Sequence, residues 1–180
     1  EKGYDGQYFP VFEDDHGTYI MNSRDLMMIE HIPELVQAGV TSFKIEGRMK
    51  SAYYVASVVH AYRRAIDAYQ KDPSAYCFNE NLKEELIKSA TRGFTTGFYF
   101  GNPYEDGQDT VRDTDPRRYT FTGKVISAEK DGFIEVEQRN KFSVGEKLEV
   151  LSPRLESAAF FVESIKDRDG NMQESAPHPQ

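Results

Sequence analysis

The spacing of apolar and polar positions changes character partway along this 180-residue chain. "GTYIMN", residues 17–22, is a short β-prone run. Ser23 then stands at an N-cap position with Asp25 in the first turn, and Leu26, Met27, Ile29 and Ile32 predict a helix behind it. Pro33 opens a second short helix, "PELVQAG", which Gly39 closes. "VTSFKIEG" follows as a strand with Val40, Phe43 and Ile45 as its apolar members. Ser51 caps the clearest helix of the chain, in which Val55, Val58, Val59, Tyr62, Ile66 and Tyr69 form one stripe. Arg63 and Asp67 sit on its outer side at i,i+4 spacing, and Pro73 lies beyond its end. Residues 81–90 predict another short helix, and "TRGFTTGFYFGNPYEDGQD" reads as an aromatic, glycine-rich loop.

From Arg118 onward the pattern shifts to short strands, "YTFTGKVISAE", "GFIEVEQRN", "EKLEVLSP" and "AAFFVESIK". They are separated by "KDG", "SVG" and "DRDGN" turns, a grammar that predicts a small antiparallel β-barrel. The expected organisation is therefore α/β over residues 1–103, a linker over 104–117 within "NPYEDGQDTVRDTDP", and an all-β domain over 118–180. Two parallel strands with intervening helices cannot close a sheet by themselves, and a (β/α)8 barrel typically takes about 250 residues. The first half accordingly reads as the last β/α units of a truncated TIM-like barrel, and the chain as the C-terminal piece of a longer protein.

Composition narrows the classes. With 38% apolar residues the chain can bury an ordinary core. No run of about 18 uncharged apolar residues is present, so no membrane span is expected. Nor does "EKGYDGQYFP" look like a signal peptide. The single Cys77 excludes an intramolecular disulfide framework and fits a reducing, cytoplasmic setting. Net charge is −8, which argues against nucleic-acid affinity by bulk charge alone. The imbalance is uneven. Residues 1–110 hold 11 Lys/Arg against 17 Asp/Glu, and residues 111–180 hold 11 against 13, so a local basic face in the second part remains open.

"SFKIEGRMKS" carries the candidate chemistry. It crowds Glu46, Arg48 and Lys50 into a strand-to-helix turn directly before Ser51. The free N–H groups at a helix N-terminus favour anions, and cations there are unfavourable unless an anion is bound. In a β/α barrel such turns face the active site, which puts Ser23 and Asp25 on one turn and Glu46, Arg48 and Lys50 on the next. Glu46 and Arg48 are the catalytic candidates. Ser23, Asp25, Lys44, Lys50, Arg92 and Tyr99 are the substrate-binding candidates. The competing reading is a solvated turn in which Glu46 pairs with Arg48 and Lys44 lies on a wet edge. Arg92, Phe94, Tyr99 and Phe100 can stack nucleobases, or they can plug the junction between the two domains.

Protease signatures are missing. His16, His31, His60 and His178 have no zinc-site spacing, no G-x-S-x-G elbow occurs, and Cys77 has no histidine near it in sequence. "IEGR" matches a tag-cleavage tetrapeptide, but it ends a strand and runs on into a helix, so an expression scar is not the reading.

"YIMNSRDLMMIEHIPELVQAG", "SFKIEGRMKSAYYVASVVHAYRRAID" and "RGFTTGFYFG" closely resemble the C-terminal part of peptidase family U32, the collagenase-like proteases. "YTFTGKVIS…VEQRNKFSVGEKLEVLSP…APHPQ" resembles the C-terminal domain of that family. The resemblance covers nearly the whole chain and is strongest to the subgroup acting in tRNA hydroxylation. It implies hydroxylation of wobble uridine with prephenate as a required metabolite, with RNA as partner and homo- or hetero-oligomers open. The alternative that the family's name implies is peptidase action on a collagen-like protein, and a third class is a non-catalytic RNA- or protein-binding module. The resemblance also implies an iron–sulfur cluster in the full-length protein and no cofactor in this fragment. The cysteines assigned to the cluster lie mostly upstream of Glu1, and relatives commonly carry Cys where this chain has Met27. Thioether is a poor cluster ligand beside thiolate.

Overall fold

Backbone pairing begins with a hairpin, β1 (Phe12–Asp14) antiparallel to β2 (Gly17–Tyr19). The structure, a computed structural model, describes residues 12–14, 17–19, 23–103, 107, 119–153 and 157–177. The expected linker falls almost wholly outside these residues, as does the end of the β-prone run at residues 20–22. By internal packing the chain separates into two units, Glu1–Arg118 and Tyr119–Gln180.

The helix expected behind Ser23 is instead a strand, β3 (Asp25–Leu26), followed by a 3₁₀ turn at Ile29–His31. The capping pattern was misleading because distant backbone competes for the same amides. Asp25 donates its N–H to Gly93 O at 2.9 Å and Met27 donates to Thr95 O at 2.9 Å. Helix α1 (Ile32–Gln37) then starts with Pro33 in its first turn, as read from sequence, and Gly39 N–H closes on Val36 O. Residues 41–47 form no ladder. The expected strand has the right alternation, but no partner strand lies beside it among the described residues, and Ile45 is 36% exposed.

Ser51 starts α2 (Ala52–Lys71) as expected. Its backbone is extended, and its Oγ accepts the Tyr54 N–H at 3.1 Å, satisfying one orphan donor of the first turn. The buried face is rotated from the expected stripe, however. Ser57, Val58, Ala61, Ala65 and Tyr69 are buried, whereas Val55 and Val59 are exposed. The small residues are turned inward because α3 (Glu80–Ser89) packs closely along that face. Asn79 caps α3, its Oδ1 accepting the Asn81 N–H at 3.0 Å. The core joins Met27, Ile29 and Ile32 to Val58, Ala61, Ala65, Tyr69, Leu82 and Leu86, and Phe43, Tyr54 and Tyr62 pack against it. The aromatic loop contains one further strand, β4 (Phe94–Thr95), parallel to β3. The unit is thus mixed α/β, and among the described residues its sheets do not close into a barrel.

The second unit is all-β. β5 (Gly123–Val125) pairs with β6 (Val136–Gln138), and β7 (Phe142–Ser143) precedes β8 (Lys147–Val150), which pairs with β9 (Ala158–Phe161). β10 (Ile165–Lys166) pairs with β11 (Met172–Gln173), and β12 (Ser175–Ala176) returns to β7. Every pairing is antiparallel. The "KDG" turn places Asp131 at φ 53° and Gly132 at φ 80°, the two successive positive values that favour such dipeptides in tight hairpins. Buried Gln138 ties separate pairs together, its Nε2 donating to Asn140 O at 3.1 Å and to Ala176 O. The described strands form two-stranded sheets and no closed barrel.

Candidate functional site

Three segments far apart in sequence meet beside the β3–β4 pair. Residues 23–28 bring Ser23 and Asp25, residues 46–54 bring the charged turn and the start of α2, and residues 91–95 lead into β4. Lys50 joins all three. Its ammonium lies 3.5 Å from Asp25 Oδ2, 3.1 Å from Thr91 Oγ1 and 5.1 Å from the centre of the Tyr54 ring. The Lys50 and Asp25 side chains are 28% and 24% exposed, so this pair is partly shielded from water. An ammonium has three N–H donors, and Asp25 and Thr91 use at most two of them.

The turn preceding α2 is built by its own backbone. Glu46 Oε1 accepts the Arg48 N–H at 3.0 Å, and Lys50 donates its N–H to Gly47 O at 3.0 Å. Gly47 allows the turn to lie against the helix. A Cβ there would come 3.1 Å from Val55 Cγ2 and 3.5 Å from Tyr54 Cε1, tighter than an ordinary contact at the first. Glu46 and Arg48 are exposed. Burial, followed by the negative charges of Asp25 and Glu46, pushes the Tyr54 phenol above its usual range, so it stays protonated. Tyr62, whose OH accepts the Met28 N–H at 2.9 Å, is pushed up mainly by its burial.

Of the residues singled out from sequence, the structure brings Asp25 to Lys50 and Arg92 to Ser23, the latter through Arg92 Nη1 donating to Ser23 O at 3.3 Å. Glu46 and Arg48 stand on the adjoining turn. Lys44 is exposed two residues earlier. Tyr99, 59% exposed, lies beyond β4 in the turn after Thr96, where Phe100 packs on His31 at 4.5 Å between ring centres. Thr91, Tyr54 and Tyr62 were missed. Tyr54 had a local signal, since it follows Lys50 by four residues at a helix start; Thr91 had none, because its partners are distant in sequence.

An open groove of about 630 Å³ runs between residues 39–45 and the exposed side of α2, including Val59, Arg63 and Ile66. Tyr62 lines it, but none of the candidate residues named from sequence does.

The described residues do not fit an iron–sulfur group. Cys77, the one cysteine of the chain, is exposed beyond α2, and among the described residues no cluster of metal-ligating side chains occurs. Met27 is buried in the hydrophobic core, 7% exposed.

Comparison with known proteins adds the following. The sequence model of peptidase family U32 matches residues 1–109, and that of the peptidase family U32 C-terminal domain matches residues 117–180. "tRNA hydroxylation protein P1" of Bacillus subtilis is 37% identical over 94% of this chain and 40% of its own length. "tRNA hydroxylation protein P" of Escherichia coli is 40% identical over 96% of this chain and 37% of its own. "Collagenase" of Porphyromonas gingivalis is 30% identical over 78% of this chain and 39% of its own. The chain thus spans about two fifths of the length of these curated relatives. No solved structure matches it.

Proposed function

The chain belongs to peptidase family U32, and from that premise we propose that it is part of a protein acting in tRNA hydroxylation, with wobble uridine as the modified base. One observation carries the reading: two relatives named for tRNA hydroxylation match at 37% and 40% identity over nearly the whole chain, above the 30% of the relative named collagenase.

The geometry beside β3 and β4 supports a binding role. Lys50 is anchored by Asp25 and Thr91 with donor capacity left over, and Arg48 is exposed two residues away. This suits an anionic oxygen, whether a carboxylate such as that of prephenate or an RNA phosphate. Glu46 fixes the turn through the Arg48 N–H and adds a negative charge facing Tyr54. Arg92 and Tyr99, before and after β4 in sequence, contact RNA in this reading. In this reading the first unit supplies the last β/α units of a TIM-like barrel completed by chain outside these 180 residues, and any iron–sulfur group is held there. In the same reading the antiparallel pairs of the second unit are the strands of a small β-barrel. The protein works in the cytoplasm, and among the described residues no helix is long and apolar enough to cross a membrane.

Mass spectrometry of tRNA nucleosides tests the proposal. Hydroxylated wobble uridine should disappear from a strain lacking the gene and return with the complete wild-type protein. It should not return with Glu46→Gln or Arg48→Lys, because Lys keeps the charge but loses the planar fork. Unchanged nucleosides in the deletion strain, together with inhibitor-sensitive gelatin hydrolysis by the pure complete protein, would replace this function with the peptidase one.

A further inference from the structure

We propose that Tyr54 is a positioning residue that holds the Lys50 ammonium at the anion-binding point, through the face of its ring. The inference rests on the reading of Lys50 as an anion-binding group.

A lysine ammonium on a flexible four-carbon stem ordinarily samples many positions, and a site that must meet an anion at one point has to restrict it. Around Lys50 the restriction comes from three directions. Asp25 Oδ2 and Thr91 Oγ1 approach at 3.5 Å and 3.1 Å, and the Tyr54 ring centre lies at 5.1 Å, inside the range of about 6 Å over which a ring face attracts a cation. These three groups come from β3, the segment before β4, and α2. The ring itself is fixed. Its backbone N–H is held by Ser51 Oγ at 3.1 Å, a Cβ on Gly47 would stand only 3.5 Å from its Cε1, and the residue packs against the hydrophobic core. Lys50 and Tyr54 are four residues apart across a helix start, so ring and ammonium are tied to the same turn of backbone. With its phenol kept protonated, Tyr54 adds a ring quadrupole and no charge of its own, leaving Lys50 positive toward a ligand.

The test uses the complete protein with Lys50→Gln, Tyr54→Phe, Tyr54→Leu and the Lys50→Gln/Tyr54→Leu double variant. Prephenate binding is measured by calorimetry and tRNA binding by fluorescence anisotropy, which separates a carboxylate from a phosphate as the anion. Tyr54→Leu and Lys50→Gln should each weaken the same ligand at least fivefold, and Tyr54→Phe should stay within twofold of wild type. The double variant should be no weaker than Lys50→Gln alone, because a positioning residue has nothing left to position. Multiplying losses in the double variant, or full binding by Tyr54→Leu where Lys50→Gln has lost it, overturns the proposal. A second readout is independent of any ligand. In ¹³C-lysine-labelled protein the Lys50 Cε resonance should be shifted upfield by the ring in wild type and Tyr54→Phe, and revert in Tyr54→Leu. If Lys50→Gln binds both anions normally, the anion-site reading fails by itself; an unshifted Lys50 resonance in wild type removes the role of Tyr54.

Discussion

Ser51 and Glu46 are five residues apart and do opposite kinds of work. Ser51 satisfies a helix-end donor, and its replacement by Ala should cost about 1 kcal/mol of unfolding free energy in urea titration. Glu46 is exposed and bonds one neighbouring amide, so Glu46→Gln should change stability by less than about 1 kcal/mol while still affecting function. His60 behaves differently because it is buried, 8% exposed, on α2. Burial, and then the positive charge of Arg64, lowers its pKa below the ordinary 6.5. The unfolded chain therefore takes up the proton first. The contribution of neutral His60 is fully present above about pH 6.5 and declines as pH falls through the depressed folded value. His60→Gln should flatten the stability profile as pH falls below about 6.5, measured by denaturation midpoints, and an unchanged slope would remove His60 from that transition. At this scale the sequence was informative wherever a side chain acts on its own turn, as at Ser51 and at the Arg63–Asp67 pair, 2.6 Å apart. It was silent on Thr91, whose contact with Lys50 joins residues 41 positions apart.

Periodicity located α2 and α3, and of the expected stripe Val58 and Tyr69 lie in the core with Tyr62 and Ile66 packed against it, but Val55 and Val59 fall outside. Hydropathy ranks Val55 and Val59 above Ser57, Ala61 and Ala65, whereas close approach of α3 selects the smaller residues. The consequence is measurable. Ile32→Ala, at a position with 0% exposure, should destabilise the first unit by about 2–5 kcal/mol, and Val59→Ser, at 47% exposure, should change it by no more than about 0.5 kcal/mol in this chain. Equal effects would restore the stripe read from sequence. The segment after Ser23 was misread for a related reason. N-cap chemistry is local, but the amides of Asp25 and Met27 are taken by Gly93 and Thr95, and nothing near residue 25 announces those partners. Residues 41–47 show the converse, a strand-like alternation with no neighbouring strand among the described residues.

Over the whole molecule, internal packing divides the chain into Glu1–Arg118 and Tyr119–Gln180, and the two family models match residues 1–109 and 117–180. If residues 104–117 act as the linker their composition suggests, limited proteolysis should cut there first, and early cleavage within α2 would contradict that organisation. The barrels expected from the sequence are not formed by the described strands, which pair two by two; closure depends on all the strands together, which local pattern does not announce. The parallel pairing of β3 with β4 has one more consequence, for the order of events in folding. It consists of two residue pairs, and Arg92 and Ser23 beside it are 69 positions apart, whereas α2 and α3 are built from contacts within a turn. Chain closure over such a span is slow relative to helix formation. The helices should therefore be in place before the ladder that assembles Asp25, Lys50 and Thr91. In native-state hydrogen exchange the Asp25 and Met27 amides should accordingly open at lower free energy than the middle of α2, making the candidate site the last region to form and the first to come apart.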